Sequence, residues 1–215
     1  MRLPALSRPA LMALMIFATS LAWAAHKPPK TRPATDYANV QIEQNVAIAA
    51  EPYLSASQQK IFAIPYRKFG FTPIWLTITN QNDRPISIAE ARVYLLSANQ
   101  DQIEAATPDD VERAIPLRDK EGSQIPIGPF KMRTHSRDSD WRVEQDFNRF
   151  EYNALTVPAH GTIAGFLWYD ISGLAAERSK DPLAGAKLMV TDVRNPDGKL
   201  MFYFAIPLGA NTRRH

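Results

Sequence analysis

Cysteine is absent from all 215 residues. That excludes a disulfide framework, thiolate metal ligation and lipid attachment through an N-terminal cysteine, so burial and hydrogen bonding must stabilise the fold alone. Histidine is scarce, with four in the chain: His26, His135, His160 and His215. The six methionines are scattered, three of them at Met1, Met12 and Met15, so there is no Met- or His-rich tract of the kind that metal carriers use. A GxSxG elbow, an HExxH pair, a Gly-rich phosphate loop and a CxxC pair are all missing. Neither a catalytic residue nor a cofactor or metal site is therefore expected. Long apolar runs are missing too. The longest, Leu11–Ala18, falls short of the roughly 20 residues that a spanning helix needs.

What surrounds that run is informative. Arg2 and Arg8 precede it without an acidic residue, and Ala22-Trp23-Ala24 follows it. Basic start, apolar centre and small residues at the cleavage positions make up a secretory signal peptide over 1–24. A membrane anchor is the competing reading, but Thr19, Ser20 and Pro28-Pro29 interrupt it. The protein is thus expected to be periplasmic or secreted, with no transmembrane segment after cleavage.

Export changes the charge argument. The chain carries 25 Lys+Arg and 22 Asp+Glu. Arg2 and Arg8 leave with the signal, and Lys27, Lys30, Arg32, Arg213 and Arg214 sit in the tails. The body between them holds 18 basic against 22 acidic residues, so the high pI is a property of the ends. Nucleic acid is not an expected partner. About 190 residues remain after residue 24, enough for one domain with a full core.

Residues 25–38 are Pro-rich and basic, which reads as a disordered linker. A single domain is expected over 39–208, with a basic tail at 209–215. Short strands are expected at Asn45–Ala50 and Ile61–Tyr66. Over Phe71–Asn80 the sequence FTPIWLTITN places Ile74, Leu76 and Ile78 on one face and Trp75, Thr77 and Thr79 on the other, as a half-buried strand requires. After the 81–85 turn, Ile86–Ala98 continues as a strand with a bulge near Ala89-Glu90.

Thr107-Pro108-Asp109-Asp110 starts a helix with an N-cap, a first-position proline and two acids, and Pro116 is expected to end it. Residues 116–150 form a long polar insertion in which Val143, Phe147 and Phe150 mark a second helix, capped from Asp138–Asp140. Strands return at Asn153–Val157 and Thr162–Asp170. Lys187–Arg194 and Lys199–Pro207 form a hairpin across Asn195-Pro196-Asp197-Gly198, with Leu200, Phe202, Phe204 and Ile206 on one face. Seven or eight short strands without a βαβ rhythm predict a mainly β fold, an antiparallel sandwich with one or two short helices in an insertion.

Several segments carry a resemblance: IWLTITN over 74–80, RPISI over 84–88, GFLWYD over 165–170 and FAIPL over 204–208. Their order resembles the immunoglobulin-like (telokin-like) β-sandwich domains of bacterial exported proteins and lipoproteins of unassigned activity. The resemblance covers roughly 45–207 and implies a fold, not a mechanism. Lipid-anchored members carry a Cys after the signal, and this chain has none.

Two constellations merit a functional reading. Trp141, Arg142, Phe147, Arg149 and Phe150 combine aromatics with arginine, the pairing enriched at interface hot spots, and are the partner-binding candidates. The alternative is that Val143, Phe147 and Phe150 cover an open end of the sandwich. Trp75, Phe166 and Trp168 read as packing. His135 has Asp138 and Asp140 nearby, but Arg133, Arg137 and Arg142 would repel a cation, and His160 lies in a PAHG turn. The expectation is an exported, non-catalytic module that binds a protein or envelope component. The alternatives are an accessory structural subunit of an envelope assembly, or an enzyme with a site around His135 and His160.

Overall fold

The computed structural model describes residues 27–118, 124–127, 130–133, 137–174, 181–201 and 203–209. The expected signal peptide, His26, His135, Phe202, His215 and the expected basic tail beyond 209 lie outside the described residues. In chain order the elements are β1 (Val40–Glu43), β2 (Val46–Pro52), β3 (Phe71–Asn80), β4 (Ile86–Ser87), β5 (Arg92–Leu96), β6 (Gln102–Glu104) and α1 (Pro108–Arg118). There follow β7 (Gln124–Ile127), β8 (Phe130–Arg133), α2 (Arg137–Phe150), β9 (Thr156–Val157), β10 (Thr162–Asp170), β11 (Lys187–Thr191) and β12 (Phe204–Pro207).

The protein is mainly β and its strand pairings are antiparallel. One sheet runs β1-β2-β3-β10 and the other β12-β11-β5-β6. Two short pairs, β4 with β9 and β7 with β8, stand apart. The longest ladder joins β3 to β10 and sets Trp75 opposite Phe166. Side-chain alternation decides what each face buries. Val46, Ile48, Ile74, Leu76 and Ile78 point inward and meet Leu95, Leu188, Val190, Phe204 and Ile206 of the other sheet in one apolar cluster. That cluster is the interior of a β-sandwich.

The opposite face of the first sheet is covered as well. Ala47, Ala49, Phe71, Trp75, Phe166 and Trp168 pack against Phe62, Tyr66, Val111, Val143, Phe147 and Phe150 in a second cluster. All ten residues of β3 are buried, so the expected half-buried strand is the centre of three layers: sheet, sheet and helices. Val143, Phe147 and Phe150 accordingly cover a sheet face rather than an open end of the sandwich.

Four local expectations need correction. Ile61–Tyr66 is not a strand but a loop between two 3-10 turns, Gln58–Ile61 and Tyr66–Phe69. Ile86–Ala98 is two strands in different sheets, because the backbone turns at 88–91 and β4 pairs with β9 while β5 pairs with β11. Helix α1 runs through Pro116 to Arg118, since a proline removes one N–H without forbidding the turn that follows. Asp138–Asp140 lie inside the first turn of α2 rather than ahead of it.

The N-terminal boundary also moves. Ala34 is fully buried and its N–H donates to Thr79 Oγ1 at 2.8 Å. The Tyr37 hydroxyl accepts from Trp75 Nε1 at 3.0 Å, and the Arg32 guanidinium lies 4.0 Å over the Tyr37 ring. The expected linker therefore joins the fold by Ala34. At the other end, the 195–198 turn holds the β11–β12 hairpin as its composition suggests. Asn195 Oδ1 accepts from the N–H groups of Asp197 and Lys199, each at 3.0 Å. Leu200, expected to share a face with Phe204 and Ile206, is 56% exposed while those two are buried, and Met201 is buried beside them.

One glycine is required by close approach. The backbone after α2 crosses β10 at Gly165, where Tyr152 N–H donates to the Phe166 carbonyl at 2.9 Å. A Cβ on Gly165 would lie 2.5 Å from Tyr152 Cα and 2.7 Å from its nitrogen. Both are backbone atoms and cannot rotate away. Gly165→Ala is expected to cost about 3 kcal/mol, read as a lowered urea midpoint. An unchanged midpoint would refute the crossing.

Candidate functional site

Helix α2 positions most of the residues singled out in the sequence. Its inward face is fixed by two kinds of contact. Phe147 stacks on Trp168 with centroids 3.9 Å apart and planes 21° apart, and Phe150 meets Phe62 edge-on at 5.6 Å. Beside them lies Asp146, 2% exposed. Its carboxylate accepts from the N–H of Ala63 at 2.9 Å, from the N–H of Ile64 at 3.3 Å and from the Tyr66 hydroxyl at 3.0 Å. These donors lie in a loop whose N–H groups have no sheet ladder, so Asp146 supplies what a neighbouring strand would. Burial, and then the Asp146 charge, holds the Tyr66 phenol protonated far above its ordinary range.

Asp146→Ala would leave two backbone N–H groups and a phenol unpaired in the interior. A loss of about 3 kcal/mol is expected, together with faster amide hydrogen exchange at Ala63 and Ile64. Unaltered protection at those two amides would contradict the anchor.

The outward face of α2 carries Trp141, Glu144, Gln145, Asn148 and Arg149 at helical spacing around a shallow cleft of about 370 Å³. Trp141 is 57% exposed. The Arg149 guanidinium sits 5.5 Å over the Phe150 ring. Along the α1 side the potential is negative: Glu112 titrates above the usual carboxylate range because of partial burial and then the charges of Asp140, Glu144 and Asp109. Of the five sequence candidates, Trp141, Arg142 and Arg149 stand on the surface together. Phe147 and Phe150 do not. They are 2% and 3% exposed and belong to the interior, where their i, i+4, i+7 spacing from Val143 put them.

His160 occupies a turn at positive φ, 50°, with Nε2 2.9 Å from Asp83 Oδ1, and both side chains are exposed. His135 lies outside the described residues. No cluster of three or more potential metal ligands occurs among the described residues.

Two concavities were not visible in the sequence. One, of about 300 Å³, opens between the sheets and is lined by Ile78, Val93, Leu155, Leu167 and Val190, with the Tyr152 side chain at its wall. The Tyr152 hydroxyl is buried without a hydrogen-bond partner among the described residues. The other, of about 460 Å³, lies between the end of β2 and the 3-10 turns. Leu54, Phe62 and Pro65 form its apolar wall, and Lys60, Arg67 and Lys68 its rim. The only signal for it was the run of basic and aromatic residues in KIFAIPYRKF over 60–69, of which Ile61–Tyr66 read as a strand.

No protein-family model, curated protein or solved structure matches the chain. No helix among the described residues is long and apolar enough to cross a membrane.

Proposed function

We propose that the chain is an exported, non-catalytic module with an immunoglobulin-like sandwich, and that the outer face of α2 receives a protein or envelope partner. The observation that carries this reading is the half-exposed indole of Trp141 on a helix that cannot shift. Asp146, Phe147 and Phe150 lock the inward face, so Trp141, Arg142 and Arg149 are presented with little ordering cost on binding. The acidic α1 edge and the Arg149 end give the face a charge pattern that can select orientation.

A photo-crosslinking residue placed at position 145, beside Trp141 on the same face, compared with one at exposed position 92 of the other sheet, tests the reading in cells. A discrete adduct from 145 alone, lost in the Trp141→Ala/Arg149→Ala background, supports it. Equal labelling from both positions, or an unchanged adduct from 145 in the Trp141→Ala/Arg149→Ala background, rejects it. An obligate structural subunit would also crosslink, but it would run as a complex in size-exclusion chromatography of native extracts.

A further inference from the structure

The groove beside the 3-10 turns is built for a different kind of ligand. We propose that the groove between Leu54 and Arg67 binds a monoacyl anion, an apolar chain ending in a single carboxylate. This is independent of the α2 face.

Three observations carry it. The first is shape. About 460 Å³ falls within the range of small-molecule sites, and the groove is held open by its own hydrogen bonds. Gln59 Nε2 donates to the Tyr53 carbonyl at 2.8 Å while Gln59 Oε1 accepts from the Arg67 N–H at 3.1 Å. Arg67 Nη1 donates to the Leu54 carbonyl at 3.2 Å. One glutamine and one arginine thus tie the two walls together before any ligand arrives.

The second observation is the wall. Phe62 is 5% exposed and backed edge-on by Tyr66 at 5.4 Å and Phe166 at 4.9 Å. With Leu54, Ala63 and Pro65 it forms an apolar surface that does not have to rearrange, and an acyl chain gains by leaving water for it.

The third is charge. Lys60, Arg67 and Lys68 line the groove and no carboxylate does. The rest of the body is net acidic, 18 basic against 22 acidic residues, so three cations around one apolar groove run against the background. The nearest buried anion, Asp146, lies behind the Ala63–Ile64 backbone with its oxygens taken up by N–H and O–H donors. A carboxylate at the rim meets Lys60 and Arg67, neither of which has a carboxylate partner among the described residues.

Titration calorimetry of the purified protein with dodecanoate, below its micelle-forming concentration, is the test. Saturable one-to-one binding is expected, weakened at least tenfold by Lys60→Glu and abolished by Ala56→Trp. Position 56 is exposed at the groove, so Ala56→Trp should fill the opening and leave the thermal midpoint unchanged. Dodecyl maltoside, with the same chain and no charge, is expected to bind at least tenfold more weakly than dodecanoate. Absent saturable binding, equal affinity for the neutral amphiphile, or full binding by a folded Ala56→Trp variant would each overturn the proposal. So would protein that sediments with anionic vesicles but does not take up monomeric dodecanoate. None of these outcomes bears on Trp141.

Discussion

Asn80→Asp is expected to destabilise the protein by about 3 kcal/mol or more, although the two side chains have the same shape. Asn80 closes β3 and is fully buried. Its Nδ2 donates to the carbonyls of Arg84 at 2.8 Å, Val157 at 3.2 Å and Pro158 at 3.1 Å. Its Oδ1 accepts from the Asn82 N–H and from Asn82 Nδ2, each at 3.0 Å. Three carbonyls on one side dictate which amide atom faces them. One side chain thereby ties the 81–85 turn to the 157–161 turn. A carboxylate there would turn an acceptor toward three acceptors and place a charge in a buried site, and either change alone costs 1–3 kcal/mol or more. Asn80→Ala, which removes the donors and the acceptor without adding a charge, is expected to cost about 2 kcal/mol. A domain of this size holds roughly 5–15 kcal/mol in total and loses about 2–4 °C of Tm per kcal/mol. A drop of about 6–12 °C is therefore expected for Asn80→Asp in thermal circular dichroism. A shift under about 2 °C, or an aspartate variant more stable than the alanine one, would show that the three carbonyls are not held by this side chain.

That asparagine also marks how far the sequence could be read. The FTPIWLTITN pattern placed β3 at the observed bounds because the alternation of Ile74, Leu76 and Ile78 with Trp75, Thr77 and Thr79 leaves one strand phase. The asparagine at its end is held in part by carbonyls 77 and 78 residues away, which no local pattern reports. Thr162–Asp170 was legible for the same reason as β3, and the 195–198 turn because Asn195 and Gly198 carry its hydrogen bonds and its positive φ, 75°.

Where reading failed, burial was right and pairing was wrong. Phe62, Ile64 and Tyr66 alternate and are all buried, at 5%, 5% and 0% exposure. Yet the N–H groups of Ala63 and Ile64 go to Asp146 rather than to a strand, and Pro65 has no N–H to offer. Periodicity reports which side chains leave water, and it is silent about where the backbone bonds. The same limit hid the groove: nothing local brings Leu54 to Arg67, thirteen residues on. In α2 the error was one of weighting. Phe147 and Phe150 were offered to a partner, although their spacing with Val143 already assigned them to the inner face, and only Trp141, Arg142 and Arg149 fall outside that stripe.

Burial of the phenols sets the last expectation, a collapse of stability on the alkaline side. Tyr66, Tyr152 and Tyr169 all titrate far above the ordinary value of 10.0, chiefly because burial disfavours the phenolate. Tyr53 is pushed up to about 12, again first by burial. Below pH 10 these groups are protonated in the folded and the unfolded chain alike, and their stabilising contribution is fully present. Above it the unfolded chain releases protons that the folded one keeps, so stability falls as pH rises. Each group contributes a slope of about 1.4 kcal/mol per pH unit. Tyr66, Tyr152 and Tyr169 together give roughly 4 kcal/mol per unit, enough to consume a typical total of about 5–15 kcal/mol within a few units. The signature is coincidence. Tyrosinate absorbance from these residues should rise in one cooperative step together with the loss of the far-ultraviolet circular dichroism signal, rather than in separate titrations of an intact fold. If all seven tyrosines ionised near pH 10 while the β signal persisted, the second sheet face would have to be open to water. The aromatic layer that holds Tyr66 against Asp146 could not then be the seat of α2.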